Sequence, residues 1–414
     1  MKLEKYTMGV GDRFGRQGSA QLQAMRQAQA AGITVIPVWN KSFREHSIIG
    51  TAPADTRHAA DQAVKEMGWN EAYYVDADHI NLKTVDGFIP YSDFFTLDVA
   101  DYIGQAPQAD SVQQFIERNR KYIGSLHIPG VAEPIPVSET MLTGIANTFL
   151  FAVQEAGKIF QHIKNRKSEN DFVVEVSMDE AHKPQTPAEL FFILAAIAAE
   201  GIPAQTIAPK FSGRFNKGVE YVGDVKQFSK EFEEDLCVIR FAIDEFGLPE
   251  TLKLSVHSGS DKFSIYKPIG EAIRRHNAGL HLKTAGTTWL EELIGLAAAG
   301  GEGLQIAKEV YATAYGRFDE LCAPYAPVID IDRAKLPAPE TVNGWNSTAY
   351  TDSLRHDATC PGYNPHVRQL LHVGYKVAAE MGERYHSALQ QFADAIGSNV
   401  QQNLFDRHIK RLFL

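Results

Sequence analysis

Short apolar runs alternate with longer stretches of helical periodicity over most of the first 300 residues. The apolar runs predict strands because their aliphatic and aromatic side chains alternate with polar ones or form brief continuous segments. These eight predicted strands cover residues 6–12, 33–40, 71–77, 94–99, 171–178, 204–210, 252–257 and 280–284. The stretches between them predict helices, among them 18–31, 52–68, 187–200, 224–245 and 288–299.

Eight alternating strand and helix units predict an α/β fold, a (β/α)8 TIM-type barrel. A doubly wound sheet is the alternative, and the barrel is favoured by the count of eight and by polar residues at the strand ends. Residues 101–168 form a predicted helical insertion after strand four, and 305–414 form a predicted C-terminal helical extension that includes a helix over 366–397. We expect a barrel domain over 1–304 with the extension 305–414 packed on it. Residues 335–363 predict an irregular loop.

The segment 253–266 is the most informative part of this pattern. Leu254 and Val256 alternate with Ser255 and His257 and then give way to a small polar turn. Period-2 alternation sends the aliphatic side chains to one face and the polar ones to the other. A strand with a polar second face, followed by a polar turn, is typical of the mouth of a binding site.

Composition and charge narrow the classes of function. The chain has 414 residues, 44% hydrophobic content and a formal net charge of −10, without a basic stripe, so nucleic acid is not an expected partner. No apolar run reaches the roughly 18 residues of a membrane span, and the N-terminus lacks the apolar segment of a signal peptide. The three cysteines are scattered, which fits a reducing compartment. We therefore expect a cytoplasmic protein without a membrane partner.

Polar side chains gather where the predicted strands end, which is where barrel enzymes have their sites. Glu175 and Asp179 share one face of strand five, and a carboxylate in mid-strand is costly unless it is paired or bound to a metal. Strands three, five and seven then bring a mixed histidine and carboxylate set to one level, which suits a catalytic divalent metal. A plain Glu–Lys or Glu–His pair that fills the barrel is the alternative. The strand-end residues are Asp12, Arg13, Asn40, Lys41, Ser42, Asp76, Asp78, His79, Thr96, Asp98, Glu175, Ser177, Asp179, Glu180, Lys210, His257, His281 and Lys283.

The cations at strand ends, and the turns 258–260 and 285–288 after strands seven and eight, indicate an anionic ligand. Barrels commonly bind phosphate at these turns, and a carboxylate fits there equally well. Structural pairing of the cations with the barrel acids is the alternative. The run 9–15 is close to a dinucleotide fingerprint, but Phe14 stands where the third glycine belongs, so NAD is not an expected cofactor.

Seven motifs, in order along nearly the whole chain, resemble the tagaturonate epimerase family. They are VGDRFG (10–15), DADHI (76–80), VEVSMDE (174–180), GVEYVGD (218–224), LSVHSGSDKFSIY (254–266), HLKTAGTTWLE (281–291) and VRQLLHVGY (367–375). The resemblance implies an isomerase of hexuronate catabolism that interconverts D-tagaturonate and D-fructuronate with a divalent metal (Zn, Mn, Co, Ni or Fe). Retro-aldol cleavage and re-addition at the carbon β to the ketone is the expected chemistry. A homo-oligomer is compatible with the sequence.

On this resemblance we assign expected roles to the strand-end residues. His79, Glu175 and His257 are the expected metal ligands, with His281 in reserve. Asp78 and Asp179 are the expected general base and acid, Glu175 is counted with the catalytic residues, and Lys283 is expected to stabilise enolate charge. The expected substrate-binding residues are Arg13, Ser42, Thr96, Lys210, Ser258, Ser260, Asp261, Lys262 and His281.

Two other functions stay open at this point. A Schiff-base aldolase would use Lys210 or Lys283 as its nucleophile. A sugar-acid binding protein would keep the barrel without turnover.

Overall fold

The computed structural model of the chain describes residues 1–168, 171–179 and 181–414, so Glu180 lies outside the described residues. Eight parallel strands close into a barrel in the order β1-β10-β9-β8-β7-β4-β3-β2, which confirms the predicted fold. The barrel strands are β1 (Tyr6–Gly9), β2 (Ile36–Ser42), β3 (Tyr74–Ile80), β4 (Phe94–Asp98), β7 (Val173–Ser177), β8 (Thr206–Ala208), β9 (Lys253–Val256) and β10 (Leu280–Leu282).

The helices follow the strands as a (β/α)8 barrel requires, with additional ones in the insertion and the C-terminal extension. Pro187 opens α7 behind a Thr186 cap that is reciprocated by Glu189, and Gly247 ends α8 in the left-handed conformation. The helices are α1 (Gly18–Ala30), α2 (Phe43–Ile49), α3 (Pro53–Met67), α4 (Ala109–Asn119), α5 (Glu139–Ile145), α6 (Phe151–Lys164), α7 (Pro187–Ala199), α8 (Val225–Phe246), α9 (Phe263–Arg275), α10 (Thr288–Ala299), α11 (Gly301–Gly316), α12 (Phe318–Cys322), α13 (Pro339–Asn343), α14 (Ser347–Leu354), α15 (Pro365–Val373), α16 (Tyr375–Glu380), α17 (Glu383–Gln391), α18 (Ala393–Gln402) and α19 (Lys410–Phe413).

The structure corrects the sequence prediction in three segments outside the barrel. The insertion contains an antiparallel hairpin of β5 (Gly124–Leu126) and β6 (Ile135–Val137) in addition to its helices. The predicted irregular loop 335–363 contains α13 and α14, because Asn346 caps α14 and the apolar Val342 and Leu354 are buried. The predicted helix 366–397 is four shorter helices, α15 to α18.

The C-terminal helices pack tightly on the last barrel helix, α10. A β-carbon on Gly295 would lie 2.5 Å from the backbone of Ile396, so the two helices meet at a glycine contact that a larger residue would push apart. The Trp289 indole donates to the Leu371 carbonyl at 2.6 Å. Residues of α10 and the extension therefore share one apolar core, next to a second core that fills the barrel and its outer helices. The division into units at residue 304 stays a prediction.

Among the described residues, none of the helices is both long enough and apolar enough to cross a membrane.

Candidate active site at the barrel mouth

A buried ammonium group, that of Lys283 just after β10, organises the barrel interior. Its Nζ lies 2.8 Å from Asp76 Oδ2, 3.0 Å from Asp78 Oδ1 and 3.0 Å from Glu175 Oε1, and it also donates to the Thr96 hydroxyl. These residues come from four strands or strand ends and form what we call the Lys283 cluster: Asp76, Asp78, Thr96, Glu175 and Lys283. Three carboxylates around one lysine leave an excess of negative charge.

The members of the Lys283 cluster have strongly shifted pKa values. Burial alone would lower the pKa of Lys283, but the charges of Asp76, Glu175 and Asp78 outweigh it and hold that pKa well above the ordinary value. Burial, together with the neighbouring carboxylates, raises the pKa of Asp76 to about 7 against the pull of Lys283. Burial opposes ionisation of Glu175 as well, but Lys283 and His257 hold its pKa well below the ordinary value. Lys283 is therefore a permanent cation.

Two histidines each have one ring nitrogen within hydrogen-bond distance of a carboxylate of this cluster. The Nε2 of His257 lies 2.8 Å from Glu175 Oε1, and the Nδ1 of His79 lies 2.7 Å from Asp78 Oδ1. The other nitrogen of His257, Nδ1, is buried without a hydrogen bond, although it lies 3.2 Å from Asp179 Oδ2. Carboxylates that hold the far nitrogen of an imidazole are typical of histidines that bind a metal through the near one.

His79 reaches His257 from the opposite side of the barrel through a local irregularity of β3. The β3–β4 register shifts between Ala77 and Ile80, and His79 has a left-handed backbone with φ 51°. A bulge of this kind re-aims a side chain. As a result the two imidazole rings lie 5.3 Å apart between centroids, although β3 and β9 are not neighbours in the barrel.

Backbone strain concentrates at the same end of the barrel. In the part of the chain that the structure describes, six residues other than glycine have a positive φ, and five of them follow or end β3, β9 and β10. Left-handed backbone at such residues costs free energy and persists where the surroundings over-determine it, as at functional sites. The five residues are His79, Ser258, Asp261, Thr284 and Thr287.

The structure brings His79, Asp179 and His257 together as a group whose candidate ligand atoms all lie within 4.8 Å of one another. We call this the ligand group. It contains two of the three predicted metal ligands, with Asp179 in the place that the sequence prediction gave to Glu175. Glu175 lies behind His257, with a side chain that is 0% exposed, whereas Asp179 is 23% exposed and His79 28%. The ligand group therefore faces the barrel mouth and Glu175 supports it from below.

Three predicted substrate-binding residues lie around the barrel rim. Arg13 pairs with Glu45 at 3.1 Å and its guanidinium lies 4.5 Å from the Tyr375 ring centroid, while its Nε is buried without a partner. Lys210 Nζ lies 3.4 Å from the Asp179 carbonyl oxygen. Ser42 caps α2, where its hydroxyl accepts from the Glu45 amide. Their predicted contacts with a substrate stay predictions.

Two further predicted residues lie deeper in the barrel. The Thr96 hydroxyl contacts Asp76, Glu175 and Lys283. His281 is fully buried and its Nδ1 shares a 2.8 Å hydrogen bond with the Thr7 hydroxyl. Burial lowers the pKa of His281 to about 3, so the ring is neutral. Both side chains support the layer beneath the ligand group.

The turn after β9 builds a second buried polar cluster. Asp261 is 0% exposed and accepts from Arg368 Nη2 at 3.1 Å and from the Thr287 hydroxyl at 2.9 Å. Its other oxygen lies 3.6 Å from His356 and 3.9 Å from His408. We call this the Asp261 cluster: Ser260, Asp261, Thr287, His356, Arg368 and His408.

The predicted anion-binding turn thus has most of its donors occupied. The Ser260 hydroxyl contacts Asp261, Thr287 and His408. The ammonium group of Lys262 donates to the carbonyls of Asn216, Val219 and Ser260 at 2.6–3.0 Å. Ser258, half buried and with φ 48°, follows His257 directly. Within the described residues, Ser260, Asp261 and Lys262 therefore join the turn to the rest of the fold rather than to the ligand group.

Sequence reasoning missed two residues that complete these clusters. The Thr206 hydroxyl donates to Glu175 Oε2 at 2.8 Å, and its place opposite Glu175 in the β7–β8 register was the available signal. Arg368 lies in the predicted helix 366–397, where it is fully buried and also donates to the Gly218 and Leu354 carbonyls. No local pattern marks an arginine whose partners are distant in sequence.

Comparison with known proteins gives a consistent result. Residues 1–412 match the sequence model of a family described as tagaturonate epimerase. A tagaturonate/fructuronate epimerase of Thermotoga maritima is 28% identical over 427 residues, which covers 98% of this chain and 79% of the relative. Two crystal structures of fructuronate-tagaturonate epimerase from Cohnella laeviribosi share the fold. The alignment with the native structure has a TM-score of 0.77 at 23% identity, and the alignment with the complex of two glycerols has a TM-score of 0.80 at 22% identity. Each alignment covers 100% of this chain and 82% of the crystallised chain.

Proposed function

The chain belongs to the tagaturonate epimerase family, and from this premise we propose that it interconverts D-tagaturonate and D-fructuronate by metal-dependent retro-aldol chemistry at the barrel mouth. The observation that carries the proposal is the ligand group of His79, Asp179 and His257 directly beside the Lys283 cluster. Epimerase activity follows from the family. The metal, the mechanism and the roles of the residues are the parts that we propose.

The substrate chemistry explains why a simple enolisation is not enough. The two keto acids differ at a carbinol carbon β to the ketone, and the C–H bond there is not acidic. Removing the proton of the β-hydroxyl instead lets the bond between the α and β carbons break. The β carbon becomes an aldehyde, and the electron pair of the broken bond stays on the α carbon and the ketone oxygen as an enediolate. After the aldehyde turns over, the α carbon attacks its other face and the hydroxyl regains its proton.

The residues of the ligand group fit a divalent metal. The Nδ1 of His257, which makes no hydrogen bond, the remaining nitrogen of His79 and the Asp179 carboxylate form one nitrogen–nitrogen–oxygen donor set, of the type that Zn²⁺ and its transition-metal neighbours prefer. Burial opposes a charge on either imidazole, but Asp78 raises the pKa of His79 to about 10 and Asp179 raises that of His257, so the carboxylates around the ligand group favour positive charge at this place. When bound, such an ion supplies positive charge that stabilises oxygens on which negative charge develops.

The Lys283 cluster then provides the proton transfer and part of the charge stabilisation. Asp78 is ionised, because Lys283 and His79 outweigh its burial and hold its pKa well below the ordinary value. We propose that its carboxylate removes the proton of the β-hydroxyl and returns this proton after re-addition. To the Lys283 ammonium, which lies 3.0 Å from Asp78 Oδ1, we assign the stabilisation of the enediolate oxygen. In this proposal Asp179 belongs to the ligand set instead of the predicted acid–base pair.

The buried carboxylates have a positioning role. The carboxylate oxygens of Asp76 and Glu175 are already taken up by contacts with Lys283, Thr96, Thr206 and His257, so we assign these two residues no contact with the substrate. They hold the Lys283 ammonium, and Glu175 also fixes the ring of His257. Arg13 and Lys210, at the rim, are the proposed partners of the uronate carboxylate, which a guanidinium binds well.

The charge of Lys283 argues against a Schiff-base aldolase. A lysine nucleophile must lose its proton, and three neighbouring carboxylates hold the pKa of Lys283 well above the ordinary value, although burial opposes them. We expect borohydride reduction in the presence of substrate to leave the mass of the protein unchanged. A covalent adduct on Lys283 or Lys210 would contradict the metal-dependent mechanism and support the Schiff-base mechanism.

The deciding experiment incubates the metal-loaded protein with D-tagaturonate and follows D-fructuronate by NMR. We expect conversion, its loss after treatment with EDTA, and its recovery when metal is added. The variant His257→Gln should bind less metal and stay inactive in excess metal, whereas His58→Gln, on the outer helix α3, should behave as the wild type. In D₂O the β carbon should gain no deuterium, and a three-carbon aldehyde acid should be trapped by hydroxylamine. Failure to convert either epimer would contradict the proposed function.

A further inference from the structure

A pocket outside the barrel mouth has features of a second binding site. It has a volume of about 490 Å³, which is enough for a ligand of the size of a sugar. Its walls come from the starts of α9 and α10, the loop after α14 and the C-terminal segment, and they do not include the ligand group or Lys283. We call it the arginine pocket. The lining residues on which the inference depends are Phe263, Glu291, Asn403, Arg407 and Arg411.

Two guanidinium groups lie against one aromatic ring of this pocket. Arg407 and Arg411 have their central carbon atoms 5.2 and 4.7 Å from the Phe263 ring centroid. Within the described part of the chain, neither side chain has a hydrogen bond or an ion pair to another residue. Arg407 is half buried and sits in a π-helical turn, Asn403–Ile409. Like charges held close together without an acceptor are unfavourable, and an anion bound between them would remove that cost.

Of the described carboxylates around the pocket, none makes a hydrogen bond or an ion pair with Arg407 or Arg411, although Glu291 attracts Arg407 and both arginines attract Asp357 over longer distances. Glu220 accepts from Ser264, and Asp357 accepts from the amide and hydroxyl of Thr359. Asp406 lies 4.0 Å from Lys410 on its own helix. Arg355, the third arginine of the lining, donates to the Asn399 side chain. Arg407 and Arg411 are therefore the groups that are open to an external anion.

The same pocket also has buried acceptors without donors. Glu291 Oε1 and Asn403 Oδ1 are buried and accept no hydrogen bond, and the two residues are 2% and 3% exposed. Unsatisfied buried polar atoms are rare, and each calls for a partner that the fold does not supply. Hydroxyl groups of a ligand are donors that suit a carboxyl and an amide oxygen.

From these contacts we propose that the arginine pocket binds a small anionic polyol, a sugar acid or a sugar phosphate, at a site separate from the barrel mouth. Arg407 and Arg411 take the anionic group, and Glu291 and Asn403 take hydroxyl groups. The inference does not depend on the epimerase mechanism, since it uses none of its residues.

The test is calorimetric titration of the full-length Asp179→Asn variant, in which the proposed metal site is disabled, with three probes. D-Gluconate carries both an anion and hydroxyls, inorganic phosphate only the anion, and sorbitol only the hydroxyls. We expect gluconate to bind at about one equivalent and more tightly than either of the other two. Adding Arg407→Gln and Arg411→Gln should weaken gluconate binding by about 10²- to 10⁴-fold, because two charged hydrogen bonds are lost and each is worth about ten- to a hundredfold in affinity.

Controls separate this site from the barrel mouth and from damage to the fold. In an otherwise wild-type chain, Arg407→Gln with Arg411→Gln should leave epimerase turnover unchanged and should not lower the unfolding temperature without ligand. Arg384→Gln, which removes an exposed arginine paired with Glu309, should leave gluconate binding unchanged. Equal gluconate affinity with and without the two arginines would overturn the proposal. So would phosphate binding as tight as that of gluconate, because the hydroxyl contacts would then contribute nothing.

Discussion

The barrel mouth and the Asp261 cluster are built from the same kinds of residue, a few positions apart on either side of one turn, yet they differ in how their charges are matched. At the mouth, Asp76, Asp78 and Glu175 surround one lysine, and the ligand group beside them is partly exposed, with His79 28% and Asp179 23% exposed. In the Asp261 cluster one carboxylate meets one arginine, and both are 0% exposed. Matched and sealed charges hold segments together, whereas unmatched charges that face an opening can act on a ligand.

The first test of this difference between the two clusters is to remove the cation from each of them. Lys283→Met and Arg368→Met each leave a buried carboxylate without its counter-ion, so each should lower the free energy of unfolding by about 3–5 kcal/mol. Activity per folded molecule should separate them. We expect a loss of about 10³-fold for Lys283→Met, which removes a charge that acts on the substrate, and little change for Arg368→Met.

Urea unfolding and turnover normalised to the folded fraction measure both effects. Lys410→Met, an exposed lysine with a 4.0 Å partner, serves as the control and should change neither quantity. A large loss of activity in folded Arg368→Met would place the Asp261 cluster in the catalytic machinery and remove the contrast.

The second test is to titrate the Asp261 cluster with acid. Burial lowers the pKa of His408 to about 4 from 6.5, and the neutral ring accepts from the Asp261 amide while its Nδ1 donates to the Asn403 carbonyl. Because the folded-state pKa lies below that of the unfolded chain, this contribution is complete above pH 6.5 and is lost as the pH falls through 4. The loss is on the order of 3 kcal/mol.

The variant His408→Gln keeps a donor and an acceptor without a titrating group. We expect its stability to fall less steeply than that of the wild type between pH 6.5 and 4, measured as the midpoint of urea unfolding at each pH. An unchanged slope would mean that His408 is already charged in the folded state, and the Asp261 cluster would then not be charge-matched.

The sequence predicts the frame of the mouth better than its centre. Alternation along 171–178 is enough to point Glu175 into the barrel, and the order of the strands brings it level with His257. The contact between His79 and His257 depends instead on a register shift and a left-handed φ of 51° at a histidine, which residue periodicity does not encode. The pairing of Asp261 with Arg368 spans 107 positions and depends on how the extension packs, so it was not predictable from local patterns.

The test with the smallest expected effect is the variant Thr206→Val. The Thr206 hydroxyl donates to Glu175 Oε2 at 2.8 Å, and valine keeps the shape of the side chain while removing this bond. Since Glu175 Oε1 still contacts Lys283 and His257, the carboxylate should stay ionised, and we expect a loss of about 1–2 kcal/mol in unfolding free energy. Thr143→Val, which removes a hydroxyl bonded to the Glu139 carbonyl on α5, should cost less than about 0.5 kcal/mol in unfolding free energy.

Turnover should fall only a few-fold in Thr206→Val, because the variant disturbs a group that positions His257 and Lys283 without touching the substrate. If turnover fell as far as in Lys283→Met, Glu175 would have to act on the reacting atoms directly, and the separation between a sealed lower layer and an active upper layer of the barrel would be wrong.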